Sequence, residues 1–238
     1  MFSPNAEKTH HADEDAILFG YWDIRGLGQA IRHVLEYTGL QYDEHRYSFG
    51  EKFDGREHWL REKFTLGLDF PNLPYIKTGD VKLTQSFAIL RFLARRTGLF
   101  PETEEGQQRV DLAEQQVNDI IWHCVRVCYN KNYNNHLKEE YIGQFLGTRC
   151  REFNDFLDER NFVAGDQLTY VDFIVWEMFD QHRTLWPEYE KMYAPFLRLG
   201  AYLQRIEALP KFARYIQSDN EMSSYGGPKM PAPKPLVG

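Results

Sequence analysis

Phe70-Pro71-Asn72-Leu73-Pro74-Tyr75 is the stretch that decides the fold, because a Leu-Pro pair stands here at the start of a predicted strand. An X-Pro bond adopts the cis form at little cost, and a cis bond would expose the backbone amide and carbonyl of the residue before the proline. Such backbone can pair with an extended peptide as an added strand would. The stretch therefore predicts a peptide-binding edge, with a structural X-Pro turn as the alternative.

The residues after this stretch predict a β-hairpin followed by a helix. Two short strands, 75–77 and 81–84, flank the turn Thr78-Gly79-Asp80. Gln85-Ser86 then stands at a helix start, where free N–H groups and a hydroxyl can hold a carboxylate. A plain helix cap is the alternative interpretation of this pair.

The residues before the stretch predict a βαβ unit. Residues 16–21 form an apolar run typical of a buried strand, 31–38 have helical spacing, and 42–47 favour a second strand. Two strands joined by a helix are expected to be parallel, with a right-handed crossover. With a short helix around 59–64, the order becomes β-α-β-α-β-β-α, a small α/β domain with a mixed sheet.

Strand patterns nearly stop near residue 100, and long helical patterns replace them. Thr169-Tyr170-Val171-Asp172 has the form of a capping box and predicts a helix start. The predicted helices cover residues 108–129, 138–160, 170–181, 196–209 and 212–216. We therefore predict a polar N-terminal extension, an α/β domain, an all-helical domain and a Pro-rich tail, over residues 1–16, 17–99, 105–218 and 219–238.

Composition argues against several classes of function. Lys+Arg is 28 and Asp+Glu is 35, and the net charge of −7 disfavours nucleic acid and anionic membrane surfaces as partners. No apolar run is long enough to span a bilayer, and residues 1–16 lack the apolar centre of a signal peptide. We therefore expect a soluble, cytoplasmic protein. The proline spacing of the tail would also suit an SH3-type partner.

The cysteine and histidine patterns predict no metal site. The three cysteines form no CxxC motif, and Cys124 and Cys128 stand four residues apart on a predicted helix. They are expected to be reduced thiols in a helical core, because metal ligation would need more ligands at suitable spacing. His10-His11 are expected to be solvated residues of the N-terminal extension.

Gly26-Leu27-Gly28, between a predicted strand and a helix, has part of the pattern of a dinucleotide-binding turn. The full G-x-G-x-x-G pattern requires a third glycine at position 31, where Ile31 stands. A hairpin, rather than further βαβ units, also follows the first strand pair. A dehydrogenase is therefore disfavoured.

Taken together, these motifs resemble the cytosolic glutathione transferases, and their mu class in particular. The matching blocks are 20–27, 62–64, 66–75, 84–86, 164–166 and 169–173, within a similarity that covers residues 17–218. The resemblance implies a thioredoxin-like βαβ-α-ββα domain followed by an all-helical C-terminal domain. It also implies a homodimer that conjugates the glutathione thiolate to hydrophobic electrophiles, a detoxification reaction that needs no metal or organic cofactor.

The same resemblance implies roles for individual residues. Tyr21 would be the catalytic hydroxyl, Tyr129 a second hydroxyl near the electrophile, and Phe70 an aromatic key inserted into the partner subunit. The residues expected to bind glutathione are Tyr21, Trp22, Leu27, Arg56, Trp59, Lys63, Asn72, Leu73, Gln85 and Ser86, with Asp119 reaching across from the second subunit.

Two alternatives to a transferase remain open at this point. The first is a non-catalytic binding protein, such as a ligand carrier or a crystallin-like relative of the family. Loss of the hydroxyl at position 21, or a long insertion in the helical domain, would favour it, and the sequence has neither. The second is a thioltransferase that uses a site cysteine, but residues 20–25 contain no cysteine.

Overall fold

The computed structural model of the chain describes residues 16–48, 56–187 and 193–218. The predicted Pro-rich tail, and the predicted N-terminal extension apart from residue 16, lie outside the described residues. Within the described ranges, no helix is both long enough and apolar enough to cross a membrane.

A four-stranded mixed sheet forms the first part of the fold. Its strand order is β2-β1-β3-β4, with β1 and β2 parallel and the other neighbours antiparallel. This arrangement confirms the predicted element order. The helix between the first two strands returns the chain to the end of the sheet where β1 began, so that β2 runs parallel to β1. The elements are β1 (Ile17–Trp22), α1 (Gln29–Thr38), β2 (Tyr42–Tyr47), α2 (Glu57–Glu62), β3 (Tyr75–Thr78), β4 (Val81–Thr84) and α3 (Ser86–Thr97).

Local sequence features explain how these elements end and turn. α1 stops at Gly39, which has a φ of 76° and whose N–H bonds to the carbonyl of Leu35. A left-handed residue at this position is easiest for glycine, which has no Cβ to clash. The Leu73-Pro74 peptide bond at the start of β3 is cis, as predicted.

Gly20 in β1 is required by the packing of its neighbour strand. It pairs with Tyr75 of β3, and a Cβ on Gly20 would lie 2.2 Å from the Tyr75 ring. The missing side chain therefore leaves room beside β1 for the ring of the fully buried Tyr75. This close approach fixes β3, and the cis-proline that precedes it, against the strand that carries Tyr21.

The second part of the fold is all-helical, and one sequence prediction is corrected there. The single helix expected over 138–160 is divided, because a wider π-helical turn, Tyr141–Leu146, interrupts it. The extra residue in that turn rotates the following helix, and Tyr141, Ile142 and Leu146 are all buried there. The α-helices are α4 (Glu104–Cys128), α5 (Asn135–Glu140), α6 (Gly147–Leu157), α7 (Tyr170–Leu185), α8 (Leu197–Glu207) and α9 (Pro210–Ile216).

Helix α7 is the centre of the helical part, and its start is fixed by the predicted capping box. The Asp172 carboxylate accepts bonds from the Thr169 N–H at 2.7 Å and from the Tyr202 hydroxyl at 2.9 Å. Both Thr169 and Asp172 are fully buried, so these bonds satisfy polar groups that water cannot reach. The box therefore anchors α7 at the point where it enters the core.

The two parts pack through α1 and α3 against α7, and through α1 against α9. His33 of α1 lies edge-on to Trp176 of α7 and to Phe212 of α9, with ring centroids 5.4 and 5.0 Å apart. Burial and the nearby arginines hold the pKa of His33 well below its usual range. This part of the interface is therefore an aromatic cluster around a neutral histidine, and the buried carboxylate of Glu177 lies 3.7 Å from the His33 ring nitrogen Nε2.

Candidate active site

Tyr21 is the polar centre of the site, although its side chain is only 5% exposed. Its hydroxyl oxygen accepts a hydrogen bond from the backbone N–H of Leu27 at 2.9 Å. Burial raises the pKa of Tyr21 to about 12, while the bond from Leu27 works in the opposite direction. The phenol thus stays protonated at neutral pH, and its O–H remains available as a donor.

Gly26 and Gly28 make room for this tyrosine. A Cβ on Gly28 would lie 2.4 Å from Cδ1 of Tyr21, and one on Gly26 would lie 2.6 Å from its hydroxyl oxygen. The glycine pair that resembled part of a dinucleotide-binding turn therefore leaves space for the Tyr21 ring and hydroxyl, and its short 3-10 turn presents the Leu27 N–H to the phenol.

A cavity of about 270 Å³ opens beside Tyr21, between the two parts of the fold. Its wall is mostly apolar, with few polar groups, which is typical of a site for small organic molecules. Five of the sequence-predicted site residues lie in this wall: Tyr21, Trp22, Leu27, Ser86 and Tyr129. The structure thus brings both predicted hydroxyl residues, Tyr21 and Tyr129, to one cavity.

Ser86 is the first residue of α3, and Gln85 precedes it at the cap position. Gln85 has a φ of 71° and a ψ of 110°, a backbone conformation that residues other than glycine rarely adopt. Such strain costs on the order of 1–3 kcal/mol and is concentrated at ligand sites. As the cap residue, the exposed Gln85 stands next to the N–H groups that begin α3.

The three predicted residues of the α2 region differ in exposure. Arg56 immediately precedes α2 and is exposed, and Lys63, just after α2, is half-buried. Trp59, in contrast, is 5% exposed, stacks on Tyr75 and meets Tyr47 edge-on. Most of the Trp59 side chain therefore packs in the core and holds α2 on the sheet.

The other predicted residues lie outside the cavity wall, as far as the described residues define it. Asn72 is exposed and Leu73 is buried beside the cis bond. Asp119 is exposed on α4, and the Phe70 side chain is 75% exposed. A large exposed aromatic of this kind is typical of a surface that meets another protein.

Comparison with known proteins identifies the family. The family model described as Glutathione S-transferase, N-terminal domain, matches residues 18–95, and the one described as Glutathione S-transferase, C-terminal domain, matches residues 118–219. Glutathione S-transferase Mu 5 of Mus musculus is 44% identical over 220 residues, which cover 89% of this chain and 96% of that protein.

The chain belongs to the mu class of the glutathione S-transferases. Glutathione S-transferase Mu 1 of Bos taurus is likewise 46% identical over 203 residues, 85% of this chain and 91% of that protein. Among solved structures, the glutathione S-transferase Blo t 8 superposes with a TM-score of 0.78 at 34% identity, over 87% of this chain and 94% of that one. The predicted family, fold class and enzyme type are confirmed.

Sequence reasoning missed most of the apolar cavity wall of this transferase. Ile121, Trp122 and Val125 line the cavity from α4, together with Cys128 and Tyr129. These five residues follow helical i, i+3, i+4 spacing, so they share one face of the helix. Trp122 is 46% exposed although it is large and apolar, which marks this face as not filled by the protein's own core.

Two thiols also belong to this wall, which the sequence interpretation as core cysteines did not include. Cys124 and Cys128 both line the cavity, with their Sγ atoms 3.8 Å apart. The hydrogen bond between the two thiol groups raises the pKa of Cys124 and lowers that of Cys128. Cys128 therefore carries the more readily ionised thiol of the pair, and it lines the cavity.

Proposed function

We propose that this transferase uses Tyr21 to stabilise the thiolate of bound glutathione for attack on hydrophobic electrophiles held in the cavity. The observation that carries the proposal is the bond from the Leu27 N–H to the Tyr21 oxygen. That bond occupies an acceptor site of the phenol and leaves its proton free for a second partner. A sulfur in the cavity would be that partner.

One hydrogen bond is enough to activate the thiol. A cysteinyl thiol has a pKa of about 8.5, so only about 3% is thiolate at pH 7. A hydrogen bond to a charged group contributes about 1.5–3 kcal/mol, and a pKa difference of one corresponds to about 1.36 kcal/mol. Such a bond lowers the thiol pKa by about one to two and raises the thiolate fraction to between about a quarter and three quarters. No cofactor is needed for this step.

Glutathione, a tripeptide, would lie along the backbone next to the cis Leu73-Pro74 bond. The backbone of Leu73 would pair with its cysteinyl part, next to Asn72. Ser86, Gln85 and the N-terminal N–H groups of α3 would bind the γ-glutamyl carboxylate, since such groups favour anions. Arg56, Trp59 and Lys63, with Trp22 and Leu27, would complete the binding of glutathione.

The electrophile would occupy the apolar wall formed by α4 and α7, with Tyr129 beside it. Holding it next to the sulfur supplies the rest of the acceleration, because the two reactants no longer have to meet by diffusion. The space accepts hydrophobic molecules rather than highly charged ones, since few polar groups line it.

We propose that the enzyme is a cytoplasmic homodimer, and two exposed residues support the dimer. Phe70 is the aromatic that would insert into the partner, and Asp119 would reach the partner's glutathione. A buried aromatic anchor of this type dominates many interfaces. Analytical ultracentrifugation of Phe70→Ala against the unaltered protein tests the dimer separately from the chemistry.

The test of the proposed chemistry is Tyr21→Phe. The variant keeps the ring and removes the donor, so turnover with a chlorodinitrobenzene-type substrate should fall at least about tenfold while glutathione still binds. The pKa of the bound thiol, read from thiolate absorbance, should rise toward about 8.5. Full activity with an unchanged thiol pKa would show that Tyr21 has another role.

A further inference from the structure

A compact cluster of potential metal ligands lies between β2 and α2, and none of its members lines the cavity. It consists of His45 from β2 with His58 and Glu62 from α2. One nitrogen from each histidine and a carboxylate oxygen all lie within 4.8 Å of one another. We propose that these three side chains form a binding site for a divalent transition-metal ion, with Zn²⁺ as the expected occupant.

The set of donor atoms suits zinc. Two imidazole nitrogens and one carboxylate, with a fourth position open to water, are a common tetrahedral zinc arrangement. His58 and Glu62 are four residues apart on a helix and therefore project to the same side, with Nε2 and Oε1 2.9 Å apart. His45 supplies the third ligand from a different element, so the site bridges β2 and α2.

The distances are close to those of a bound ion. Zinc–nitrogen bonds of about 2.0–2.1 Å place tetrahedral ligand atoms roughly 3.4 Å apart. His58 Nε2 and Glu62 Oε1, now 2.9 Å apart, must move slightly apart when the ion binds. The more distant ligand atoms, which are separated by up to 4.8 Å, must move together by rotation of their side chains. The His58 side chain is 58% exposed and can rotate in this way. Its ring proton leaves to solvent or moves to the other nitrogen as the ion binds.

A second layer of side chains already orients two of the ligands. The buried Tyr47 hydroxyl donates to Oε2 of Glu62 at 2.8 Å, which leaves Oε1 for the ion. The His45 ring stacks on the Tyr47 ring with centroids 4.3 Å apart. Outer partners of this kind typically change metal affinity by about 10–100-fold.

Zinc binding to the full chain tests the proposal by equilibrium dialysis. The background is a variant with His10→Gln and His11→Gln, because those two histidines could hold zinc by themselves. This background should bind one Zn²⁺ per chain. His45→Gln, His58→Gln and Glu62→Gln should each weaken binding at least about tenfold, whereas His136→Gln, at an exposed histidine of α5, should not.

Thermal unfolding gives a second readout and checks the fold of each variant. Zinc at a hundred times its Kd for the background protein should raise the melting temperature of that protein, and the same zinc concentration should raise that of Glu62→Gln by clearly less. Visible absorption of the Co²⁺ form should show imidazole and oxygen ligation without thiolate bands, which separates this site from Cys124 and Cys128. Absence of binding to the background, equal binding by all three ligand variants, or thiolate bands would overturn the proposal.

Discussion

Arg25 and Glu177 join the two domains through paired hydrogen bonds, with Nε 3.1 Å from Oε1 and Nη2 2.5 Å from Oε2. Both side chains are 5% exposed, and Nη2 also contacts Asp180 at 2.7 Å. Removing one member of a buried pair leaves the other charge without compensation, which costs about 3–5 kcal/mol. Arg25→Met should therefore lower the free energy of unfolding by about that amount, as measured by urea denaturation.

The exposed pair Arg61–Glu57 is the matched control, since its side chains are 77% and 78% exposed. Arg61→Ala should change the free energy of unfolding by less than about 0.5 kcal/mol. The double change Arg25→Met with Glu177→Leu should recover much of the loss, because both charges are then gone. Equal effects of Arg25→Met and Arg61→Ala would contradict the structural role given to the buried pair.

Gly28→Ala should damage the site because its Cβ would overlap the Tyr21 ring at 2.4 Å. Overpacking of this kind costs about 1–3 kcal/mol, and moving the ring also takes the hydroxyl away from Leu27. We expect a lower melting temperature and a fall in conjugation activity.

Gly200→Ala on α8 is the control, as a Cβ there would meet nothing within 4 Å. It should stabilise the protein by about 0.5–1 kcal/mol, the usual helix preference of alanine over glycine, and leave activity unchanged. If Gly28→Ala behaved like Gly200→Ala, the space at Gly28 would not be needed by Tyr21.

His182 should make stability depend on pH. Its Nδ1–H donates to the Met178 carbonyl at 2.6 Å, and its Nε2 accepts from the Tyr141 hydroxyl at 2.8 Å. Burial lowers the pKa of His182 to about 4, from an unfolded value near 6.5. Between these values the unfolded chain binds the extra proton, so the contribution to stability is complete above about pH 6.5 and is lost as the pH falls toward 4.

The size of this contribution is on the order of 3 kcal/mol. His182→Gln retains hydrogen-bonding groups but does not titrate. The difference in free energy of unfolding between the unaltered protein and the variant should therefore shrink between about pH 7 and pH 4.5, by urea denaturation at each pH. A difference that stays constant over this range would disprove the assignment to His182.

Cys128 should be the thiol most readily alkylated. It lines the cavity and its pKa is lowered by the bond from Cys124, whereas Cys150 is fully buried in α6. Peptide mapping after brief treatment with a small maleimide should find Cys128 labelled well before Cys150. An apolar glutathione conjugate filling the cavity should slow that labelling, and faster labelling of Cys150 would contradict this account.

The sequence predicted what depends on neighbours along the chain. The cis Leu73-Pro74 bond and the Thr169–Asp172 capping box each depend on a few adjacent residues with one physical role. Their structures are therefore close to their predictions. Local patterns also pointed to the Leu73-Pro74 edge and to Gln85-Ser86 as binding groups, whereas the role of Tyr21 came only from the family resemblance.

What the sequence did not predict depends on contacts between distant elements. The π-helical turn places Tyr141 against His182, 41 residues away. The proposed metal-ligand cluster joins His45 of β2 to His58 and Glu62 of α2, so its spacing in sequence matches no metal motif. The role of the glycines beside Tyr21 was hidden because it concerns the space around a ring, which residue types alone do not reveal.

The long helix α4 carries much of the apolar wall on a single face, while Tyr21 and the cis-proline edge belong to the other domain. Changes on that face should alter which molecules fit without disturbing Tyr21, the residue proposed to activate the sulfur. Evolution, or a designer, can therefore exchange a handful of side chains at 121, 122, 125 and 129 to obtain a new selectivity from an unchanged catalyst.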